Sequence, residues 1–206
     1  MKYGVIITRA QPLHIGHVKV IKKALEENDR VLLIIGSADK SMTERNPFSI
    51  NQRWQQYLQM LCYYKWNFDQ IKAIKLPDWS ADKNIPYDSN VGSDNQNYKT
   101  VAKEWGLYLY YNIVGAIGQK DFTLYYNDDP AIIKEWFPDY IWDRITLKSM
   151  ERDDISSSKV RTAIVTNNIT YLKETVPYLS SSDINSCRRL LQTIHCILCV
   201  IIRQVS

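Results

Sequence analysis

The fold of this chain is decided near its amino terminus by residues 5–18, which read VIITRAQPLHIGHV. The first four residues are apolar or β-branched without alternation, which predicts a strand buried on both faces. The stretch ends in His14-Ile15-Gly16-His17, and an amphipathic helix begins near Val18. A strand that passes through a short loop into a helix is the building unit of parallel α/β sheets.

The two histidines at this helix start form a candidate anion site. His14 and His17 are three residues apart, so their side chains lie on one helical face. The helix start adds unpaired N–H groups and a positive dipole end, and Gly16 removes a side chain where a phosphate would meet Cβ. Taken alone, the pair also fits metal ligands or buried structural histidines. The only other histidine, His195, lies in an apolar tail, so no metal site is predicted.

A second motif far downstream favours the phosphate interpretation. Residues 155–161 read ISSSKVR, and serines at a helix start cap the helix and offer donors to an anion. Arg161 lies one turn later and can direct two N–H groups at phosphate oxygens. A serine run before a helix is usually only a cap. Two such helix starts in one α/β chain predict a shared triphosphate site.

The rest of the sequence alternates strands and helices. A helix begins after Ser49, whose spacing to Gln52 matches a capping box, and Asp129-Pro130 begin a short helix that Pro138 ends. This order predicts an α/β fold, a Rossmann-like doubly wound parallel sheet with the ligand at the carboxyl ends of the strands. The predicted strands are Tyr3–Thr8, Val31–Ile35, Ile71–Leu76, Tyr108–Gly115 and Tyr140–Leu147.

The tail is predicted to be a C-terminal helical appendage over residues 170–206, behind a nucleotide-binding domain over residues 1–169. Its apolar residues recur at spacings of three and four, so the helix would pack on the domain or on a second subunit of a homo-oligomer. Cys196 and Cys199 spell CxxC inside this apolar helix, which favours buried thiols over zinc. The apolar part is too short and too interrupted to span a membrane.

Composition excludes several classes of protein. The 206 residues are 45% apolar and 23% charged, as in ordinary globular proteins, and the net charge of +4 suits anionic substrates. There is no clustered basic stretch of the kind that binds nucleic acid. Four cysteines without disulfide spacing and the lack of a signal peptide predict a cytoplasmic protein.

The pair of motifs resembles the HIGH-motif nucleotidyltransferase superfamily, whose second signature is ISSTxxR. The run GSA at 36–38, NPFS at 46–49 and QR at 52–53 is similar to the GSA…NPFT…ER run of nicotinamide-nucleotide adenylyltransferases. The similar types are the archaeal enzyme and the amino-terminal domain of bifunctional proteins that also carry a Nudix hydrolase. Residues 8–14 correspond to the family's GRFQPxH. No Nudix box is present, so the hydrolase half is expected to be absent.

The chain departs from the family pattern at four positions. Thr8 stands where the family has glycine, and Ala10 stands where it has phenylalanine. Ser158 replaces threonine and keeps the hydroxyl, whereas Gln52 replaces glutamate and removes a carboxylate. These changes leave the phosphate chemistry in place and make the position of the second substrate less defined.

The resemblance implies transfer of AMP from ATP to nicotinamide mononucleotide, with NAD and pyrophosphate as products. His14 and His17 are implied as the catalytic charge-stabilising donors, and Mg²⁺ would be held mainly by the ATP phosphates. Lys120 and Asp121 belong to a segment that resembles one found after the fourth strand of the bifunctional type. The residues implied in ATP binding are Thr8, Arg9, His14, Gly16, His17, Lys120, Asp121, Ser156, Ser157, Ser158 and Arg161.

The mononucleotide is expected to lie near the long polar connection from Leu76 to Tyr98, which is either a substrate loop or a surface insertion. Tyr98 is favoured as the aromatic that stacks on the nicotinamide, with Trp79 as the competitor. The residues implied in mononucleotide binding are Ser37, Asn46, Phe48, Trp79, Asn97 and Tyr98.

Two alternatives stay open. One is an adenylyl- or cytidylyltransferase with another acceptor, such as phosphopantetheine or a sugar or alcohol phosphate, which the GSA…NPF run disfavours. The other is a catalytically silent nucleotide-binding regulatory module, against which the intact histidines and Arg161 argue. A class I aminoacyl-tRNA synthetase requires a far longer chain and a KMSKS loop, which this sequence lacks.

Overall fold

The computed structural model describes residues 1–78, 96–127, 130–151 and 154–205, and for residues 96–101 and 198–205 it describes the backbone alone. The elements in chain order are β1 (Tyr3–Thr8), α1 (Ile15–Glu27), β2 (Arg30–Ile35), α2 (Ile50–Tyr64), β3 (Ile71–Lys75), α3 (Gln96–Ile117), β4 (Phe122–Tyr126), α4 (Pro130–Trp136), α5 (Asp139–Trp142), β5 (Ile145–Ser149), α6 (Ser157–Thr166), α7 (Ile169–Thr175) and α8 (Ser181–Val205).

Five parallel strands form one sheet in the order β3-β2-β1-β4-β5. In the central strand β1, Val5 pairs with Leu32 on one side and with Leu124 on the other, and all three side chains are buried. From β1 the chain adds β2 and β3 on one side of the sheet and then β4 and β5 on the other. The crevice at the carboxyl ends of the strands beside this change of direction is the expected ligand site. The predicted Rossmann-like doubly wound parallel sheet is confirmed.

Helices cover both faces of the sheet. One apolar cluster joins α1, α2, α6, α7 and α8 to the sheet through residues such as Ile21, Leu33 and Ile164. A second cluster joins α3, α4 and α5 to the opposite face through residues such as Leu32 and Ile113. Neighbouring residues of β2 therefore supply both cores, which explains why its sequence is continuously apolar.

The predicted strand over Tyr108–Gly115 is wrong, because these residues lie within the helix α3. A short apolar run fits a buried strand and a buried helix equally well when only its periodicity is considered. The buried residues Ala102, Leu109 and Ile113 follow helical spacing. The fourth strand is β4, which follows this helix and which the sequence analysis missed.

The predicted strand over Tyr140–Leu147 is correct only for its last three residues, Ile145–Leu147. Its first residues form the short helix α5, which begins after Pro138 at the N-cap position, and β5 starts at Ile145. The predicted short helix that ends before Pro138 is confirmed as α4.

The predicted C-terminal helices pack against the same core as α1. Leu172 of α7 and Cys187 of α8 are buried in the cluster that contains Ile164, and Arg188 Nε donates to the Ile164 carbonyl oxygen at 2.7 Å. The division of the chain after residue 169 stays a prediction. Over the described ranges, no helix combines the length and the apolar character needed to cross a bilayer.

Candidate functional site

The loop between β1 and α1 is closed by the two histidines themselves. His14 is the N-cap of α1, and its Nδ1 accepts the Gly16 N–H at 3.2 Å. The Nδ1 of His17 in turn accepts the His14 N–H at 3.2 Å, so the two imidazoles form a reciprocal capping box. Their ring centroids are 4.0 Å apart. The paired orientation expected from their spacing is therefore present.

These hydrogen bonds determine which ring nitrogen carries the proton. Each Nδ1 accepts a backbone N–H, so each neutral ring must carry its proton on Nε2. Burial lowers the pKa of His14 to about 4, and burial together with the adjacent His14 lowers the pKa of His17. Both rings are therefore neutral at pH 7 in the free protein and act as donors through Nε2–H.

The two Nε2 atoms have different surroundings. His17 Nε2 lies 2.8 Å from Thr8 Oγ1, whereas no residue of the described ranges forms a hydrogen bond with His14 Nε2. The capping box also occupies the Gly16 N–H, which was expected to face phosphate. The free donors at this helix start are thus mainly side-chain groups.

The second motif lies directly beside the first. Ser156 is the N-cap of α6, and its Oγ accepts the Lys159 N–H at 3.2 Å. Ser157 Oγ donates to the Pro12 carbonyl oxygen at 3.2 Å. Arg161 Nη1 donates to the Gln11 carbonyl oxygen at 2.7 Å, and its Nη2 donates to Ser158 Oγ at 3.1 Å. The two helix starts predicted from the sequence therefore meet at the carboxyl end of β1.

Two buried polar side chains fix the loops around this junction. Gln11 forms two hydrogen bonds with the backbone of Phe48. Gln11 Nε2 donates to the Phe48 carbonyl oxygen at 3.1 Å, and the Phe48 backbone N–H donates to Gln11 Oε1 at 2.9 Å. Arg53 is fully buried, and its guanidinium donates to the carbonyl oxygens of Arg9, Gly36 and Ser37 at 2.7–2.9 Å. Both side chains therefore hold the loops that follow β1 and β2 at fixed positions.

Sequence reasoning missed the role of Arg53. Burial lowers its pKa to about 10, against the influence of the carboxylates of Asp78 and Asp39, so it remains charged at pH 7. The signal was present, because Arg53 shares a helical face with the apolar residues Tyr57 and Met60. An arginine on a buried stripe requires acceptors, and unpaired loop carbonyls are the nearest ones.

The residues expected to bind the mononucleotide are only partly brought together. Ser37 follows β2, and its Oγ donates to both carboxylate oxygens of Asp78 at 3.0–3.1 Å. Asn46 is buried, and within the described ranges its Oδ1 has no hydrogen-bond partner. Phe48, also expected to bind the mononucleotide, has no exposed surface, and its ring packs in the core.

The remaining candidates for mononucleotide binding are Trp79, Asn97 and Tyr98. Trp79 lies outside the described residues. Asn97 and Tyr98 lie in the first turn of α3, not in a loop, and their side chains lie outside the description. The choice between Tyr98 and Trp79 therefore stays a prediction.

Lys120 and Asp121 are not part of this site. They precede β4, whereas the resemblance placed them after the fourth strand. In a parallel sheet this puts them at the amino ends of the strands, at the edge opposite His14. Asp121 pairs there with Arg144 at 3.4 Å. Their assignment to ATP binding is a sequence misalignment caused by the missed helix α3.

The comparisons with known proteins agree with this architecture. The family of the citrate lyase ligase C-terminal domain matches residues 3–182. A nicotinamide-nucleotide adenylyltransferase of Saccharolobus solfataricus is 35% identical over 78 residues, which are 38% of this chain and 45% of that protein. The chain spans about half the length, or less, of the curated relatives that it matches.

Two solved structures share the fold at low identity. The bifunctional NMN adenylyltransferase/ADP ribose pyrophosphatase of Francisella tularensis, complexed with AMP and a manganese ion, has a TM-score of 0.61 at 16% identity and covers 91% of this chain and 52% of that chain. The NadR protein in complex with NAD and AMP-PNP has a TM-score of 0.56 at 19% identity, over 86% of this chain and 45% of that chain. The match over residues 3–182 establishes that the chain belongs to the citrate lyase ligase C-terminal domain family.

Proposed function

We propose that this chain transfers the AMP moiety of ATP to nicotinamide mononucleotide, with NAD and pyrophosphate as products. One observation carries the proposal: two phosphate-type helix starts are joined by hydrogen bonds from Arg161 to Gln11 and from Ser157 to Pro12. The choice of acceptor is supported by the archaeal relative, which is named for this activity, and by the NadR structure, which contains NAD.

The chemistry needs no protein nucleophile. The 5′-phosphate of the mononucleotide attacks the α-phosphorus in line, and pyrophosphate leaves. Catalysis then consists of holding the two substrates in line and stabilising the charge that develops on the transferring and leaving groups. The neutral His14 donates from Nε2–H, and Arg9 and the unused N–H groups of Arg161 are the other side-chain donors proposed for the phosphates.

Arg161 would bind the leaving phosphates while it keeps its hydrogen bonds to Gln11 and Ser158. Its guanidinium has five N–H groups, and the bonds to Gln11 and Ser158 use two of them. The other N–H groups are available for phosphate oxygens, which favour the planar geometry of arginine over lysine. Burial lowers the pKa of Arg161 only from a very high ordinary value, so the side chain remains a cation at pH 7.

Magnesium would bridge the ATP phosphates. Within the described ranges, no group of three or more His, Cys, Asp and Glu side chains is placed to hold a metal ion. A magnesium ion bound mostly through phosphate oxygens and water fits this donor set. The Francisella structure, which is complexed with AMP and a manganese ion, supports the use of a divalent ion.

The mononucleotide pocket would lie at the carboxyl ends of β2 and β3. Ser37, Asn46 and Asn97 are the polar residues proposed for it, and Tyr98 or its competitor Trp79 would supply the ring that stacks on the cationic pyridine. The cytoplasmic location and a homo-oligomeric state remain part of the proposal. The free thiols of Cys62, Cys187 and Cys196 support a reducing compartment.

A catalytically silent nucleotide-binding module is the second candidate. The observation that favours it is the hydrogen bond between Thr8 and His17 Nε2, which occupies a nitrogen that would otherwise face the nucleotide. Such a module would bind ATP without turning it over.

One experiment separates these candidates. The protein is incubated with ATP and MgCl₂ and, in parallel, with nicotinamide mononucleotide, nicotinate mononucleotide or phosphopantetheine, and the products are identified by mass. We expect NAD with the first acceptor, and we expect His14→Ala to form NAD roughly 10²–10³ times more slowly under the same conditions. A product with phosphopantetheine alone would favour the other transferase, and tight ATP binding without any product would favour the silent module.

A further inference from the structure

The hydroxyl of Thr8 forms hydrogen bonds with two groups at the end of β1. Its Oγ1 lies 2.8 Å from His17 Nε2 and accepts the Ala10 N–H at 3.0 Å. Thr8 stands at the family's glycine position, so a glycine there would leave His17 Nε2 without this partner. Thr8 is half-buried and ends β1, and the loop that follows it accepts hydrogen bonds from the second helix start at the carbonyls of Gln11 and Pro12.

The direction of each hydrogen bond follows from counting donors and acceptors. His17 Nδ1 accepts the His14 N–H, so the proton of the neutral ring is on Nε2 and is donated to Thr8 Oγ1. A threonine hydroxyl has two acceptor positions and one proton. The Ala10 N–H and the His17 Nε2–H fill both acceptor positions. The Thr8 hydroxyl can then act only as a donor.

The resulting chain of hydrogen bonds runs in one direction. It leads from the His14 backbone N–H through the His17 ring to the Thr8 hydroxyl, whose proton has no acceptor within the described ranges. Hydrogen bonds aligned in this way polarise one another, and the effect is larger in a partly buried site. The last donor of the chain is therefore stronger than an isolated hydroxyl.

We propose that Thr8 is the residue that donates to the bound triphosphate at this position, and that His17 acts as a positioning residue through it. His14, whose Nε2 is not occupied, would instead contact the phosphates directly. The two histidines of the motif then have different roles in this chain. The inference rests on the proposed function for the identity of the anion, an ATP phosphate.

A double-mutant cycle on ATP affinity tests this arrangement. Magnesium-ATP binding is measured by titration calorimetry, without an acceptor, for the wild type, Thr8→Val, His17→Ala and the double variant. Valine keeps the shape of threonine and removes the hydroxyl. We expect each single change to weaken ATP binding roughly 10-fold or more, as for the loss of a hydrogen bond to a charged group. If His17 acts through Thr8, the double variant binds ATP no more than about three-fold more weakly than the weaker single variant.

Two further variants separate a hydrogen-bonding role from a purely structural one. Thr8→Ser should keep most of the affinity that Thr8→Val loses, because serine retains the donor. Thr123→Val, on a half-buried strand threonine of β4, is the matched control and should leave ATP affinity unchanged. If Thr8→Val does not fold, the same cycle is measured with Thr8→Ala.

The outcomes are distinct from those of the activity assay. Losses that multiply in the double variant, or unchanged affinity in Thr8→Val, show that His17 acts independently of Thr8 and overturn the inference even if the wild type makes NAD. A wild type that binds no ATP overturns this inference and the proposed function together. If the wild type binds ATP and the mutant cycle is non-additive, but no NAD is made, the Thr8–His17 arrangement is supported and only the proposed reaction is contradicted.

Discussion

Arg161 Nη1 donates to the carbonyl oxygen of Gln11 at 2.7 Å, across 150 residues of sequence. Gln11 is held in turn by two hydrogen bonds to Phe48, so the start of α6 is tied to the loop after β1 and to the segment before α2. The site is therefore assembled from three parts of the chain whose relative positions depend on backbone carbonyls. Substitutions that disturb these bonds should affect binding as well as stability.

Arg161→Lys should raise the Michaelis constant for ATP by roughly 10-fold, although the charge is retained. A lysine ammonium cannot donate to Gln11 and Ser158 and still direct a fork of N–H groups at phosphate. Steady-state kinetics with saturating mononucleotide measure the effect. Arg144→Lys, at the opposite edge of the sheet, is the control. An unchanged constant for Arg161→Lys would remove this residue from the ATP site.

His14→Ala should lower kcat by roughly 10²–10³, the range found when one charge-stabilising donor is removed. The Michaelis constant for the mononucleotide should change little, because the ring faces the phosphates of ATP. His195→Ala, an exposed histidine of α8, is the matched control. Turnover near the wild-type value in His14→Ala would show that the pair is only a helix cap.

Arg53→Met should lower the free energy of unfolding by roughly 2–4 kcal/mol, since three loop carbonyls lose their buried donor. Urea denaturation gives the difference, with the exposed Arg189→Met as the control. The free energy of unfolding of Arg53→Lys should lie between those of the wild type and Arg53→Met, because an ammonium cannot reach all three oxygens with good geometry. If Arg53→Met were as stable as the wild type, the loops would have to be held by other contacts.

Acidification should destabilise the protein through the histidine pair. The pKa of His14 is about 4 in the folded protein and near 6.5 in the unfolded chain. Between these values the unfolded chain binds more protons, so the stability is complete above about pH 6.5, decreases as the pH falls, and levels off below about pH 4. For His14 alone, the loss between pH 7 and pH 5 is about 2 kcal/mol.

Urea unfolding at pH 7 and pH 5 tests this expectation in the wild type and in His14→Gln, which should show a smaller difference. Glu27→Gln is the control, because Lys148, Tyr125 and Lys23 hold the pKa of that carboxyl at about 2, below the window. The same pH dependence in the wild type and in His14→Gln would contradict the assignment.

The fold was predictable because its strands are continuous apolar runs and its helices begin with capping residues. The two helix starts were also predictable, since His14, His17 and the serines before Arg161 are close in sequence to the ends of these strands. The helix α3 was not predictable, because an apolar and aromatic run such as Tyr108–Gly115 fits the periodicity of a buried strand and that of a buried helix. Because this helix was predicted as the fourth strand, β4 was missed, and Lys120 and Asp121 were predicted at the wrong edge of the sheet.

The connections within the site were beyond the reach of the sequence. Arg161 donates to the backbone carbonyl oxygen of Gln11. Every residue has such an oxygen, so the residue types do not indicate which one accepts this hydrogen bond. The bond from His17 to Thr8 depends on which nitrogen accepts the His14 N–H, and that is a property of the folded loop. Phe48 illustrates the opposite case, in which a motif residue that resembles a binding residue belongs to the core.

The most direct test of the central claim is to follow labelled phosphorus from ATP. ATP labelled at the α-phosphorus is incubated with the protein, MgCl₂ and nicotinamide mononucleotide, and a parallel sample contains ATP labelled at the γ-phosphorus. The account predicts that the α label appears in NAD and the γ label in pyrophosphate. A γ label on the mononucleotide product, or no transfer of either label by a protein that binds both substrates, would contradict it.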